Sequence, residues 1–219
     1  MKWNSIETFF LDMDGTLLDL AFDNFFWHEH LPKIYSESKK ISFNAAKLKF
    51  ESMYKKKENT MQWYSLRHWS EVLKIDLLSE LLMTKNKIKT LPKAKGFLSL
   101  LKKNDIKVFL LTNCPRDMLH VKLNQTKLWG YFDEIVSSED FNFPKESIDF
   151  WDVLNEKYEY NNDTTVFLDD SKNVIDFSLK HGLRNVFLIS SPDSSKKDQD
   201  TFGYKSIKGV NEFKKMITS

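Results

Sequence analysis

Thr8-Phe9-Phe10-Leu11 sets four apolar or β-branched residues in a row, and two carboxylates one residue apart follow in Asp12-Met13-Asp14-Gly15-Thr16. A short apolar run closed by Gly fits a parallel strand buried on both faces. Its last residues then arrive at the carboxyl edge of an open sheet, where α/β proteins bind ligands. Like charges this close repel each other. An acid pair at such an edge therefore calls for a divalent cation, or a ligand that brings one. Asp and Gly are also ordinary turn residues, and the pair alone does not separate the two readings. The downstream residues do.

From Leu20 to Leu91 there is no Gly, and Pro32 is the only Pro. Apolar residues recur there at helical spacing: Phe22, Phe25, Phe26; Ala45, Leu48; Trp63, Leu66, Trp69, Leu73; Leu77, Leu81. The pattern predicts about four helices, with breaks near Pro32, Asn59 and Asp76 and an N-cap at Ser42. From Pro92 onward helix and strand alternate, the mark of a doubly wound sheet. Strands are expected at 107–111, 134–137, 165–168 and 186–189. Helices are expected over 93–104, from Pro115, from Ser147, from Asn173 to a Gly182 cap, and over 210–217. The expected class is α/β, a Rossmann-like parallel-sheet core built from 1–19 and 92–219. Residues 20–91 form an all-helical insertion.

The bulk composition excludes more than it selects. The formal charge is +2, from 33 basic and 31 acidic residues, and the only arginines are Arg67, Arg116 and Arg184. Arg is the preferred reader of phosphate chains, so neither nucleic acid nor an acidic membrane is an expected partner. One cysteine, Cys114, rules out a disulfide framework and suits a reducing compartment. No apolar run approaches a membrane span. A cytoplasmic protein with no obligate protein partner is expected.

The expected strands end in chemistry. The first ends in Asp12 and Asp14, the second in Thr112 and Asn113, the fourth in Asp169 and Asp170, and Lys145 follows the third. Parallel strands bring these ends to one edge. Phosphoryl transfer uses such a set: carboxylates for Mg²⁺, a cation for developing charge, and donors for phosphate oxygens.

The order Asp12-x-Asp14-Gly15-Thr16, Thr112-Asn113, Lys145, Asp169-Asp170 resembles the four motifs of the haloacid dehalogenase superfamily of phosphohydrolases. The helical insertion resembles that superfamily's all-helical cap domain. Three longer stretches, Asp12 to Asn24, Asn59 to Glu71 and Phe143-Pro144-Lys145-Glu146, are similar to bacterial GMP/IMP nucleotidases, which hydrolyse purine nucleoside 5′-monophosphates. The resemblance implies Asp12 as nucleophile and Asp14 as general acid and base. It also implies Mg²⁺ held by Asp12, Asp170 and the Asp14 carbonyl, with Asp169 acting through water. Lys145, Thr112, Asn113 and Thr16 would serve the phosphate. Asp14 is mostly ionised at its ordinary pKa of about 3.9, so this role needs it raised or only fractionally protonated.

Phe25, Phe26, Trp27, Trp63 and Tyr64 are the candidates for stacking on a base, since aromatic faces hold bases. Asp19, Asp23 and Asn24 are candidates for ribose or base edges. Cys114 lacks a partner His and reads as structural. His28-Glu29-His30 is no zinc motif, because i and i+2 diverge on a helix. Three other readings stay open: a phosphatase of phosphoglycolate or a sugar phosphate, a phosphoglucomutase-like transferase, and a catalytically silent domain that binds a partner. A true dehalogenase is disfavoured by the second acid, Asp14.

Overall fold

Alternation along the first strand divides the core. In the computed structural model, which describes residues 5–213, β1 (Thr8–Leu11) is buried throughout. Phe9 and Leu11 face one hydrophobic cluster, and Phe10 faces another. The remaining strands are β2 (Lys107–Thr112), β3 (Glu134–Ser137), β4 (Thr165–Asp169), β5 (Asn185–Ile189) and β6 (Ser206–Ile207). All pair in parallel, in the order β3-β2-β1-β4-β5-β6. β1 lies between β2 and β4, where the strand order reverses and a crevice opens beyond the carboxyl ends. Leu11 pairs with both Leu110 and Leu168, so Asp12, Thr112 and Asp169 emerge together.

Helices cover both faces. Leu98 and Leu101 of α7 (Ala94–Lys103) and Leu119 and Leu123 of α8 (Arg116–Thr126) pack on the Phe9 side. Trp151 and Leu154 of α9 (Ile148–Lys157) and Ile175 of α10 (Lys172–His181) pack on the Phe10 side. Ser147 caps α9, and Gly182 closes α10 at φ 110°. The two-residue β6 lies outside the sequence expectations; it is too short to show periodicity. The helix expected over 210–217 extends beyond the described residues.

Between β1 and α7 the chain is helical. The expected break at Pro32 does not occur, and the backbone runs helical from Ala21 to Lys39. α1 (Ala21–Phe25) passes into a π-helical turn (Phe26–His30), and α2 (Leu31–Lys39) continues from it. The Leu31 N–H reaches back five residues to the Phe26 carbonyl. Pro32 falls in the first turn of α2, next to that wider turn. A π-turn there absorbs the ring that would break a regular helix. α3 (Phe43–Lys55) starts at the Ser42 cap, whose hydroxyl accepts the Ala45 N–H at 3.2 Å. α4 (Met61–Tyr64) and α5 (Leu66–Leu73) follow the left-handed turn at Asn59. α6 (Leu77–Thr84) begins at the Asp76 cap and packs on α8.

The two chain crossings into and out of this helical segment pair with each other. Leu18 and Thr90 form an antiparallel bridge, and Asp19 N–H donates to the Lys89 carbonyl at 2.9 Å. The polar loop after β5 closes over them: Ser194 N–H donates to Asp19 at 3.0 Å, and Asn24 donates to Asp193 at 2.7 Å.

Candidate active site

The turn after β1 places the acids. Gly15, at φ 88°, lets the chain reverse so that its N–H meets the Leu18 carbonyl at 2.8 Å. A Cβ there would overlap the Asp170 carboxylate, so only Gly admits that carboxylate in its present place. Gly15→Ala is expected to cost about 1–2 kcal/mol from the left-handed backbone alone and to push Asp170 away. Thermal melts with and without Mg²⁺ check it: the melting temperature should fall, and any rise caused by Mg²⁺ should shrink.

Lys145 joins the carboxylates. Its Nζ donates to Asp12 Oδ1 at 2.5 Å, to Asp169 Oδ2 at 2.7 Å and to the Leu111 carbonyl at 3.1 Å, and the side chain is 2% exposed. The loop that presents it is pinned twice. Trp151 Nε1 donates to the Lys145 carbonyl at 2.9 Å, and Asn113 Oδ1 accepts the Lys145 N–H at 2.9 Å. Asp169 is fully engaged, because its other oxygen accepts the Ser171 N–H at 2.8 Å. Asp170 differs: no described residue donates to its carboxylate, and burial with Asp12 and Asp169 nearby holds its pKa well above the usual range. Oxygens of Asp12, Asp169 and Asp170 lie within 4.8 Å of one another. That set of hard oxygens, with Asp170 lacking a donor, suits a divalent cation.

Burial, then the charge of Asp169, pushes Asp12 up to about 7 against the pull of Lys145. Asp14 is likewise raised to about 7, by burial first and then by Asp23. Asp14 is thus poised near neutrality, as the acid–base role needs.

Asp12, Asp14, Thr112, Asn113, Lys145, Asp169 and Asp170 all line one cavity; Thr16 does not. Thr16 is fully buried, and its hydroxyl has no hydrogen-bond partner among the described residues. Asn113 donates from Nδ2 to Glu146 Oε2 at 2.8 Å and accepts the Lys145 N–H at Oδ1, which leaves one amide hydrogen to donate into the cavity. Phe25 and Phe26 are not cavity residues: Phe26 is core, and Phe25 packs on His30 and under Lys87. Thr112 does line the cavity, accepting the Cys114 N–H at 3.0 Å and keeping its hydroxyl hydrogen to donate.

The cavity holds about 320 Å³ and runs from Asp12, Asp14, Lys145 and Asp170 to Trp27, Tyr54 and Trp63. That volume suits a small organic ligand. Tyr54 stands edge-on to Trp27 and Trp63, and its hydroxyl donates to the Trp27 carbonyl at 3.2 Å. Tyr64 bridges the helical segment to the core by donating to Glu146 at 2.7 Å. Asp19 faces Ser194, whereas Asp23 and Asn24 line the cavity. Burial keeps the Cys114 thiol protonated, its pKa well above normal. His28 and His30 part company: His30 pairs with Glu80 at 2.8 Å, and His28 lines the cavity.

Lys122 is the residue missed from sequence. It is 1% exposed, and its Nζ lies 2.8 Å from Asp14 Oδ1 and 2.8 Å from Asp23 Oδ1. Its signal was a lysine among Met118, Leu119, Leu123 and Thr126 on the buried stripe of α8.

A family model described as haloacid dehalogenase-like hydrolase matches residues 9–188. The chain belongs to this family. Among the haloacid dehalogenase-like hydrolases it is 31% identical to the GMP/IMP nucleotidase YrfG of Escherichia coli (strain K12) over 219 residues, covering 100% of this chain and 97% of that one. The fold is shared with an HAD phosphatase from Thermococcus onnurineus, with a TM-score of 0.80 at 20% identity over 97% of this chain and 98% of the other. It is shared too with the HAD-hydrolase YfnB of Bacillus subtilis, solved bound to magnesium, at TM-score 0.72 and 17% identity over 98% and 99%. The dehalogenase-like hydrolase fold is thus present nearly end to end. Among the described residues no helix is long and apolar enough to cross a membrane.

Proposed function

We propose that the chain is a Mg²⁺-dependent, cytoplasmic nucleotidase that hydrolyses purine nucleoside 5′-monophosphates, GMP and IMP, to nucleoside and phosphate. One observation carries this reading: a single cavity joins the Asp12–Lys145–Asp170 cluster to the indoles of Trp27 and Trp63. The first end suits a phosphate and the second the face of a base. The 31% identity with a GMP/IMP nucleotidase over the full chain supports the purine assignment.

Asp12 attacks phosphorus, held in place by the Lys145 ammonium at its Oδ1. Asp14 gives its proton to the departing ribose oxygen and then takes one from the water that hydrolyses the aspartyl-phosphate. Lys145 and the Thr112 hydroxyl offset charge on the phosphate oxygens. Mg²⁺ would be held by Asp12, Asp170 and the Asp14 carbonyl, with Asp169 behind them, and when bound supplies charge neutralisation at the phosphate. The helical segment 20–91 acts as the cap, contributing the base-facing wall and excluding water. The partner is a small nucleotide; neither nucleic acid nor a membrane nor an obligate protein partner enters the reading.

Phosphate release from GMP, IMP, AMP, CMP, phosphoglycolate and glucose phosphates, each with Mg²⁺ and with chelator, tests it. Metal-dependent release from GMP and IMP well above AMP and CMP is expected. Preference for phosphoglycolate or a sugar phosphate would keep the chemistry and remove the purine assignment.

A further inference from the structure

Lys122 is the buried charge that this chemistry leaves without a part. It stands on α8 between the turn after β1 and helix α1, its Nζ 2.8 Å from Asp14 Oδ1 and 2.8 and 2.9 Å from the two Asp23 oxygens. Asp14 Oδ1 is sealed from solvent and takes no well-directed hydrogen bond from any described residue. The ammonium is therefore its compensating charge. Asp14 as a whole is not sealed, since its side chain keeps 20% exposure and lines the cavity.

We propose that Lys122 is the positioning residue for the leaving-group proton, fixing Asp14 through Oδ1 so that Oδ2 faces the ester oxygen. This rests on the proposed nucleotidase reaction and names the residue that makes its acid effective. A cation at Oδ1 repels a proton there, so the proton is carried on Oδ2. As an Asp12 oxygen bonds to phosphorus, the bond from phosphorus to the ribose oxygen breaks. That oxygen keeps the electron pair and takes the Asp14 Oδ2 proton. Asp14 is left a carboxylate, which the Lys122 charge stabilises. In the second half a water oxygen bonds to phosphorus and returns a proton to Asp14, while the Asp12–phosphate bond breaks with its pair going back to Asp12. Asp23 shares the same ammonium and so ties α1 to α8 beside the acid.

The test compares GMP with its analogue carrying sulfur at the bridging 5′ position, because a thiolate departs without a proton. kcat/KM reports every step through departure of the leaving group. Lys122→Met strips the cation from two carboxylates, so the double variant Asp23→Asn/Lys122→Met, which also removes one acid, is measured beside it. In both variants kcat/KM on GMP should fall about 100-fold, the scale of general-acid catalysis, and on the sulfur analogue less than about fivefold. Equal losses on the two esters, or a double variant with the wild-type rate on GMP, overturn the proposal while leaving the nucleotidase reading intact. A wild-type protein that releases phosphate from neither ester overturns both.

Discussion

Asp12→Asn is expected to lower phosphate release from GMP by about 10⁴-fold or more, the scale on which losing a nucleophile acts. Asparagine is nearly the same size and still accepts the Lys145 hydrogen bond through its amide oxygen, but it cannot form the acyl phosphate. The fold should survive. Lys145 keeps Asp169 at 2.7 Å and the Leu111 carbonyl at 3.1 Å, and Asp12 itself is a carboxylate held against burial. Lys145→Met is the instructive contrast. It removes the cation between Asp12 and Asp169 and leaves two buried acids facing each other, so stability and activity should fall together. Activity assays paired with thermal melts separate the two cases. An Asp12→Asn protein retaining a tenth of the wild-type rate would remove Asp12 from the role of nucleophile.

Legibility in the sequence tracked how local each cause was. β1 and the acids after it were readable because a four-residue apolar run, a Gly and the carboxylates are neighbours in the chain. Ser42 and Gly182 were readable as caps for the same reason. Pro32 misled because a π-turn upstream removed the clash that normally ends a helix. Lys122 was visible as a charge on an apolar stripe, yet its meaning needs Asp14 and Asp23, which only the fold brings to it. Thr16 shows the reverse. The resemblance implied a phosphate contact for it, yet it is fully buried and outside the cavity lining. The aromatics of the helical segment followed the same logic, since spacing marked them as helix faces without saying which face met the cavity. Trp27, Trp63 and Tyr64 line it; Phe25 and Phe26 do not.

The acid cluster also sets how stability responds to pH and Mg²⁺. Burial raises Asp12 and Asp14 to about 7 and raises Asp169 and Asp170 as well. Between the ordinary carboxylate value and about 7 the native state therefore holds more protons than the unfolded chain. Stability must then fall as pH rises through that window, the loss being complete only above the folded values. Burial lowers His28 and His181, which acts in the opposite sense below about 6.5. Comparison with Asp170→Asn cancels the histidines, since both proteins share them. Without metal, the melting temperature of Asp170→Asn should exceed that of wild type by a margin that widens as the pH rises above the ordinary carboxylate range. Mg²⁺ should raise the wild-type melting temperature most at the upper end, where the carboxylates are ionised, and do little for Asp170→Asn. A margin that stays flat as the pH rises would mean that the Asp170 charge is already compensated in the metal-free protein. An equal Mg²⁺ response in both proteins would place the ion somewhere other than the Asp12–Asp170 pair.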